Sequence, residues 1–283
     1  MASFTNFATL SYNGGTTNSN IVTGEILEAL TAVKTAVSAN YSAGDRITYA
    51  LSLVNTGTAA ITDYTVTDNL GGYTVGANTV YPLAYNAGTV RYYINGVLQT
   101  APTVTAGPPL TVTGLTVPAG GSAVLIYETT ATPVAPLATG SSITNTATIT
   151  GGGLTTPITA QATVETANSA DLTISKALSP TTVTENGQIT YTFVISNTGN
   201  TEATATGNVV VTDTFDPILR NIAVTYNGTA WTEGTNYTYN AATGVFTTLA
   251  GQITVPAATF TQNTDGTFTV TPGTATLVIT GTV

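Results

Sequence analysis

RITYALSLVNTG, from Arg46 to Gly57, returns as QITYTFVISNTG, from Gln188 to Gly199. Tyr49 answers to Tyr191, an offset of 142 residues (191 − 49), and Lys34 answers to Lys176 at the same offset. Further on, VTDNL around Asp68 answers to VTDTF around Asp213, now offset by 145 (213 − 68), and SAVLIYETT from Ser122 answers to TATLVITGT from Thr274. A repeat sustained over that length means two units of one architecture. Within them apolar residues alternate one by one, as in DLTISKAL, NVVVTDTF and TATLVITGTV, with Gly, Asn and Pro at the breaks. That pattern predicts an all-β chain of two tandem Ig-like β-sandwiches. We place the first at residues 27–166 and the second at 167–283. GEILEALTAVKTAV, from Gly24 to Val37, has some helical character, but its place in the repeat reads as strand.

Composition narrows the function. With 283 residues the chain can bury two cores. Only 7% of residues are charged and the net charge is −9, which argues against both a disordered chain and a nucleic-acid binder. Cysteine and histidine are absent, so disulfides, thiol catalysis, histidine general bases and the usual transition-metal sites go together. Asp63, Asp216 and Asp265 are scattered without calcium-loop spacing. No cofactor or metal is expected, and no apolar run reaches the roughly 18 residues of a membrane span.

The units differ at their ends. After SAVLIYETT the first continues into ITNTATI, from Ile143, and then PITAQATVET, whereas the second reaches Val283 with neither. Both missing strands have a likeness at the other end of the chain: FTNFATL from Phe4, a turn at Gly14 and Gly15, and SNIVTGEI. Residues 1–26 are therefore expected to be the last strands of a second-type sandwich, carried at the N-terminus as a donor segment. Lys34 to Asn145 spans 111 residues, and Lys176 to the Asn6 of a following copy spans 113 (283 + 6 − 176). A sandwich lacking a strand exposes unpaired backbone and an apolar groove, a template for strand addition. Few residues separate Ile26 from the Lys34 strand, so donation to another molecule is expected. Donor and acceptor surfaces differ, which makes the contact heterologous and the product a head-to-tail homopolymer.

Strand parity then selects the chemistry. Leu172, Ile174, Lys176 and Leu178 share a face, as do Ile143, Asn145, Ala147 and Ile149. In the donor segment Phe4, Asn6, Ala8, Leu10 and Tyr12 align. Asp68 shares a face with Tyr64, Val66 and Leu70, and Asp213 with Val209, Val211 and Phe215. Lysine, aspartate and asparagine thus all point toward expected core, where each needs a partner. Together they are the components of a spontaneous isopeptide bond, in which a desolvated lysine is the nucleophile and a protonated aspartate polarises the amide and shuttles protons. A noncovalent buried Lys–Asp pair with the asparagine hydrogen-bonded nearby is the competing reading. Glu128 is a rival acid, but its repeat equivalent is Thr280, so the aspartates are preferred.

The lysine strand, ITYALSLVNTG, VTDNL and ITNTATI together resemble the conserved-repeat domains of bacterial surface proteins, and are similar to the self-crosslinking Ig-like domains of Gram-positive pili and adhesins. The resemblance implies a Lys34–Asn145 bond with Asp68 as proton shuttle in the first unit. In the second it implies Lys176 with Asp213, the asparagine coming from Asn6 of a neighbour. It also implies a structural subunit of an extracellular bacterial surface fibre, with no catalysis beyond one turnover per site; the lack of a secretion signal in MASFTNFATL would suit display as a spore appendage. The alternative is a stalk or glycan-reading module of a larger adhesin. For that, YNGTAWTEGTNYTY offers an aromatic platform of Tyr226, Trp231, Tyr237 and Tyr239, although hairpin packing explains the same residues.

Overall fold

The computed structural model describes residues 2–26 and 29–283. Four strands make an N-terminal arm: β1 (Ala2–Asn6), β2 (Thr9–Tyr12), β3 (Gly15–Asn18) and β4 (Val22–Ile26). They pair as one antiparallel hairpin, β1 with β4 and β2 with β3, turning at Asn13 and Gly14. Ser19 marks a register shift, its hydroxyl accepting the Ala8 N–H at 2.9 Å.

The first sandwich follows, opening with β5 (Leu30–Ala36), β6 (Asn40–Tyr41), β7 (Arg46–Asn55) and β8 (Ile61–Asp68). The lysine segment is strand, as its place in the repeat predicts. One sheet runs Val97–Leu98, Arg91–Ile94, Ser122–Ala131, β7, β5. The facing sheet runs Thr103–Thr105, Leu110–Val117, β8, Ser142–Gly151, Ile158–Thr166, β6. Burial alternates residue by residue along these strands, which sends Ile47, Tyr49, Leu51 and Leu53 of β7 and Tyr64 and Val66 of β8 into one core.

The second sandwich repeats the first sheet as Leu172–Ser179, Gln188–Asn197, Gly273–Thr282, Arg220–Tyr226, Thr229–Trp231. Its facing sheet has three strands, Thr212–Thr214, Val245–Thr248 and Tyr237–Asn240. A separate core gathers Tyr191, Phe193, Phe215, Phe246, Leu277 and Ile279 among others. Among the described residues the one helical turn is the 3-10 segment Ala205–Gly207, where the first unit has continuous β8.

Asn-Thr-Gly, shared by both repeats, forms a corner clamp. Asn55 Nδ2 donates to the carbonyls of Ala59 (2.8 Å) and Pro118 (3.0 Å), and its Oδ1 accepts from Gly57 N–H at 2.9 Å. Asn197 does the same with Thr201 (2.8 Å), Pro256 (3.0 Å) and Gly199 (3.0 Å). At Gly199 the linker runs so close that an added Cβ would collide with the Ser169 carbonyl, hence glycine there. Asn200 then ties the two sandwiches, its Nδ2 donating at 2.9 Å to the carbonyls of both Leu137 and Ala167. The hairpin Thr259–Gln262/Phe268–Thr271, absent from the first unit, reaches back so that Gln262 Nε2 donates to the Tyr73 hydroxyl at 2.9 Å.

Candidate functional site

In the first sandwich three chain segments converge. Lys34 leaves β5 on its core side and crosses between the sheets to Asp68 at the end of β8, Nζ to Oδ2 at 2.5 Å. Both side chains are buried, and Asp68 Oδ1 accepts the Leu70 N–H at 2.9 Å. Asn145 stands on the neighbouring strand Ser142–Gly151, where Ala147 is the residue opposite Asp68. Two residues along and on the same face, Asn145 is a diagonal neighbour of that aspartate. Lys34, Asp68 and Asn145, chosen from strand parity, are thus placed together.

Asn145 is the anomaly. Its side chain is wholly buried, and neither its amide oxygen nor its nitrogen has a partner in hydrogen-bonding geometry. The hydroxyls of Tyr49 and Tyr127 lie close enough to act on it as loose hydrogen-bond partners, although the Tyr49 hydroxyl and the Asn145 amide make no hydrogen bond of good geometry. A buried amide with both ends unmet costs several kcal/mol. Burial pushes the Lys34 ammonium down to about 8, the opposing pull of Asp68 notwithstanding.

Tyr49 and Tyr127 form a floor that parity arguments about charged residues passed over. Their rings are stacked 5.8 Å apart, with Lys34 Nζ 4.8 Å and 5.8 Å from the two centroids. Tyr127 also donates to Asp68 Oδ2, the oxygen that holds the lysine. Burial and then the Asp68 charge hold the Tyr127 hydroxyl well above the usual phenol range. Tyr127 was discoverable as the inward neighbour of Glu128, which instead faces out and pairs with Arg46 at 3.6 Å. Glu128 is therefore no rival to Asp68.

The second sandwich holds the same pair in another setting. Lys176 Nζ lies 2.5 Å from Asp213 Oδ2, above Tyr191 (4.5 Å), Phe193 (5.4 Å) and Phe215 (5.5 Å). Ile279 takes the place of Tyr127, since it opposes Tyr191 as Tyr127 opposes Tyr49. The expectation that Lys176 and its face lie in core is corrected here: its side chain is 40% exposed, and Ile174 and Leu178 are exposed with it. The reason is a missing cover. In the first sandwich Ser142–Gly151 pairs with β8 and Ile158–Thr166 packs over β5, whereas Thr212–Thr214 pairs only with Val245–Thr248 and no described strand lies over Leu172–Ser179.

The residues that resemble the missing cover are in the arm and equally bare. Phe4 is 54% and Leu10 63% exposed, with Asn6, Ala8 and Tyr12 also exposed. Their counterparts Ile143, Asn145, Ala147 and Ile149 are buried. The aromatic segment, by contrast, is used internally. Tyr226 stacks on Trp231 at 4.9 Å, Tyr237 is buried against Phe246, and the Tyr239 hydroxyl donates to the Leu219 carbonyl.

These features define an all-β protein of two tandem Ig-like sandwiches, each with a lysine–aspartate pair between its sheets. No protein-family model and no curated protein sequence matches the chain. Among solved structures it is similar to BcpA, the major pilin subunit of Bacillus cereus, at 14% identity and a TM-score of 0.36, covering 96% of this chain and 73% of that one. It is similar to the pilus backbone RrgB of Streptococcus pneumoniae at 11% identity and a TM-score of 0.34, covering 86% of this chain and 55% of that one. A collagen-binding domain from a Staphylococcus aureus adhesin matches at 11% identity and a TM-score of 0.30, over 49% of this chain and 99% of its own. No helix among the described residues is long and apolar enough to cross a membrane.

Proposed function

We propose that this protein is the structural subunit of an extracellular bacterial fibre, polymerising head to tail as the N-terminal arm of one copy enters the second sandwich of another. The observation that carries this reading is one strand pattern in two states. Ile143, Asn145, Ala147 and Ile149 are buried beside a lysine–aspartate pair, while Phe4, Asn6, Ala8 and Leu10 are exposed and a second such pair lies uncovered. The slot in the first sandwich is already filled by its own strands. The four-residue step from Ile26 to Leu30 spans at most about 14 Å, which keeps the arm near the start of its own first sandwich and favours a neighbour as recipient.

Each joint is then sealed by an amide. Asp68 takes a proton from the Lys34 ammonium, leaving a neutral amine and a carboxylic acid. The amine nitrogen bonds to Asn145 Cγ. The acid donates its proton to the amide nitrogen, the C–N bond breaks and ammonia leaves, and the new amide returns a proton to the carboxylate. One N–C bond is made, one is broken, and Asp68 ends as the neutral acid. In the product the two unmet polar ends of the buried carboxamide are replaced by a secondary amide. Lys176, Asp213 and the Asn6 of a neighbour perform the same steps between subunits. Each site reacts once, so the protein is a self-sealing structural element with no turnover.

The purified protein boiled in detergent should run as a ladder of multimers, and its digest should contain Lys34–Asn145 and Lys176–Asn6 linked peptides, each lighter by one ammonia. A single monomer band with unmodified Asn6 would overturn the fibre reading.

A further inference from the structure

The arm is a hairpin before it meets anything, and across β1 and β4 its internal pairing follows that of the strands it resembles, shifting by one residue beyond Ser19. Asn6 opposes Val22 in the arm, and Asn145 opposes Ala162 in the first sandwich. Two residues earlier, Phe4 opposes Gly24 where Ile143 opposes Val164. The exchange conserves bulk: a large ring faces a glycine in one pair, and two medium side chains face each other in the other. The Phe4 ring occupies the space that a Cβ on Gly24 would take. In the first sandwich both members of such a pair are buried, and the strand that carries Val164 packs over β5.

Building on the fibre reading, we propose that the donated unit is this whole two-stranded hairpin, seated on a second copy of the chain in one fixed register with Ala8 opposite Asp213. The register follows from the filled slot, where Ala147 opposes Asp68 and Thr148 opposes Thr67. Transferred to the open one, Thr9 opposes Thr212 and Leu10 opposes Val211, which puts Asn6 diagonal to Asp213 as Asn145 is to Asp68. Leu10 then stands beside the buried Val211, as Ile149 stands beside Val66 in the same sheet. The segment Asn208–Val211, irregular where the first unit has β8, becomes strand. The second arm strand covers the Lys176 side of Leu172–Ser179. Its last residues run beside Thr182 and Val183, as Glu165 and Thr166 run parallel to Asn40 and Tyr41. A slip by one residue turns Asn6 to the outer face, and a slip by two carries it about 6.6 Å along the strand, out of reach of Lys176.

The absence of cysteine from the chain makes the register directly readable. In the full-length protein, Thr9→Cys with Thr212→Cys should give a disulfide-linked intersubunit peptide on oxidation. Thr9→Cys with Thr214→Cys, the pair a two-residue slip would join, should give none, because the Cα atoms then lie beyond disulfide reach. Thr67→Cys with Thr148→Cys, opposed inside the first sandwich, calibrates the yield of a correctly opposed pair. Linked Lys176–Asn6 peptide together with the Thr9/Thr212 disulfide at the calibrant's yield is the expected result. Linked Lys176–Asn6 peptide with the disulfide in the slipped pair, or in neither pair while the calibrant oxidises, overturns the register and leaves the fibre reading standing. Loss of every intersubunit link, isopeptide and disulfide, overturns both.

Discussion

The two sandwiches carry the same lysine–aspartate pair at the same 2.5 Å, yet one is sealed from water and the other is not. Lys34 and Asp68 lie under two strands that their own sandwich supplies, whereas Lys176 and Asp213 look out through the place those strands would fill. The pair is therefore intrinsic to the repeat, and burial is a separate variable set by what covers it. Burial pushes the covered Lys34 down to about 8. Under the proposed mechanism this makes reactivity conditional: the second site acquires a desolvated nucleophile only when an arm arrives, and the arm brings the asparagine with it. Docking and activation are then a single event.

Removing the asparagine from one side at a time separates the two sites most sharply. Asn6→Ala should abolish the detergent-resistant ladder entirely while the monomer still shows the mass deficit of one ammonia from its first sandwich. Asn145→Ala should do the reverse, restoring that mass and leaving the ladder. It should also destabilise the first sandwich by about 4 to 5 kcal/mol, by analogy with a crosslink closing a loop of roughly 100 residues, read from chemical denaturation of a non-polymerising Asn6→Ala background.

A smaller effect tests the apolar contribution of the arm without its covalent bond. In the Asn6→Ala background Leu10→Ser should weaken noncovalent association by about 1.5 to 3 kcal/mol, roughly a 10- to 150-fold rise in the concentration needed for assembly by sedimentation. An unchanged threshold would mean that Leu10 does not enter a groove.

Smaller again is a pH dependence that belongs to the covered site. In a chain that cannot form the first bond, Asn145→Ala, the folded Lys34 holds its proton with a pKa of about 8 against 10.5 in an unfolded chain. Between those values the unfolded state binds more protons, so stability rises with pH from about 8 and is flat below it. By about pH 9, where unfolded tyrosines are still largely protonated, the gain should be on the order of 1 kcal/mol in denaturant midpoints. Lys34→Met on top of Asn145→Ala should erase the slope.

Much of this was legible in the residues themselves. Alternation in ITYALSLV and ITYTFVIS gives the strands, and the parity of Lys34, Asp68 and Asn145 puts them on inner faces, because side chains alternate strictly across a sheet. The arm's hairpin was readable from its likeness to ITNTATI and its glycine turn. The role of Tyr127 was not, because its repeat counterpart is Ile279 and the repeat therefore does not single it out, although alternation puts it on the inner face beside Glu128. Nor was the exposure of Lys176, since alternation assigns a residue to a face and says nothing about whether that face is covered.

The amino-acid order by itself determined which residues share a strand face and which segments copy one another, since both depend only on period and likeness along the chain. Which faces are closed was decided in three dimensions. Burial depends on a second layer brought from far away in sequence, and among the described residues that layer exists over Lys34 but not over Lys176.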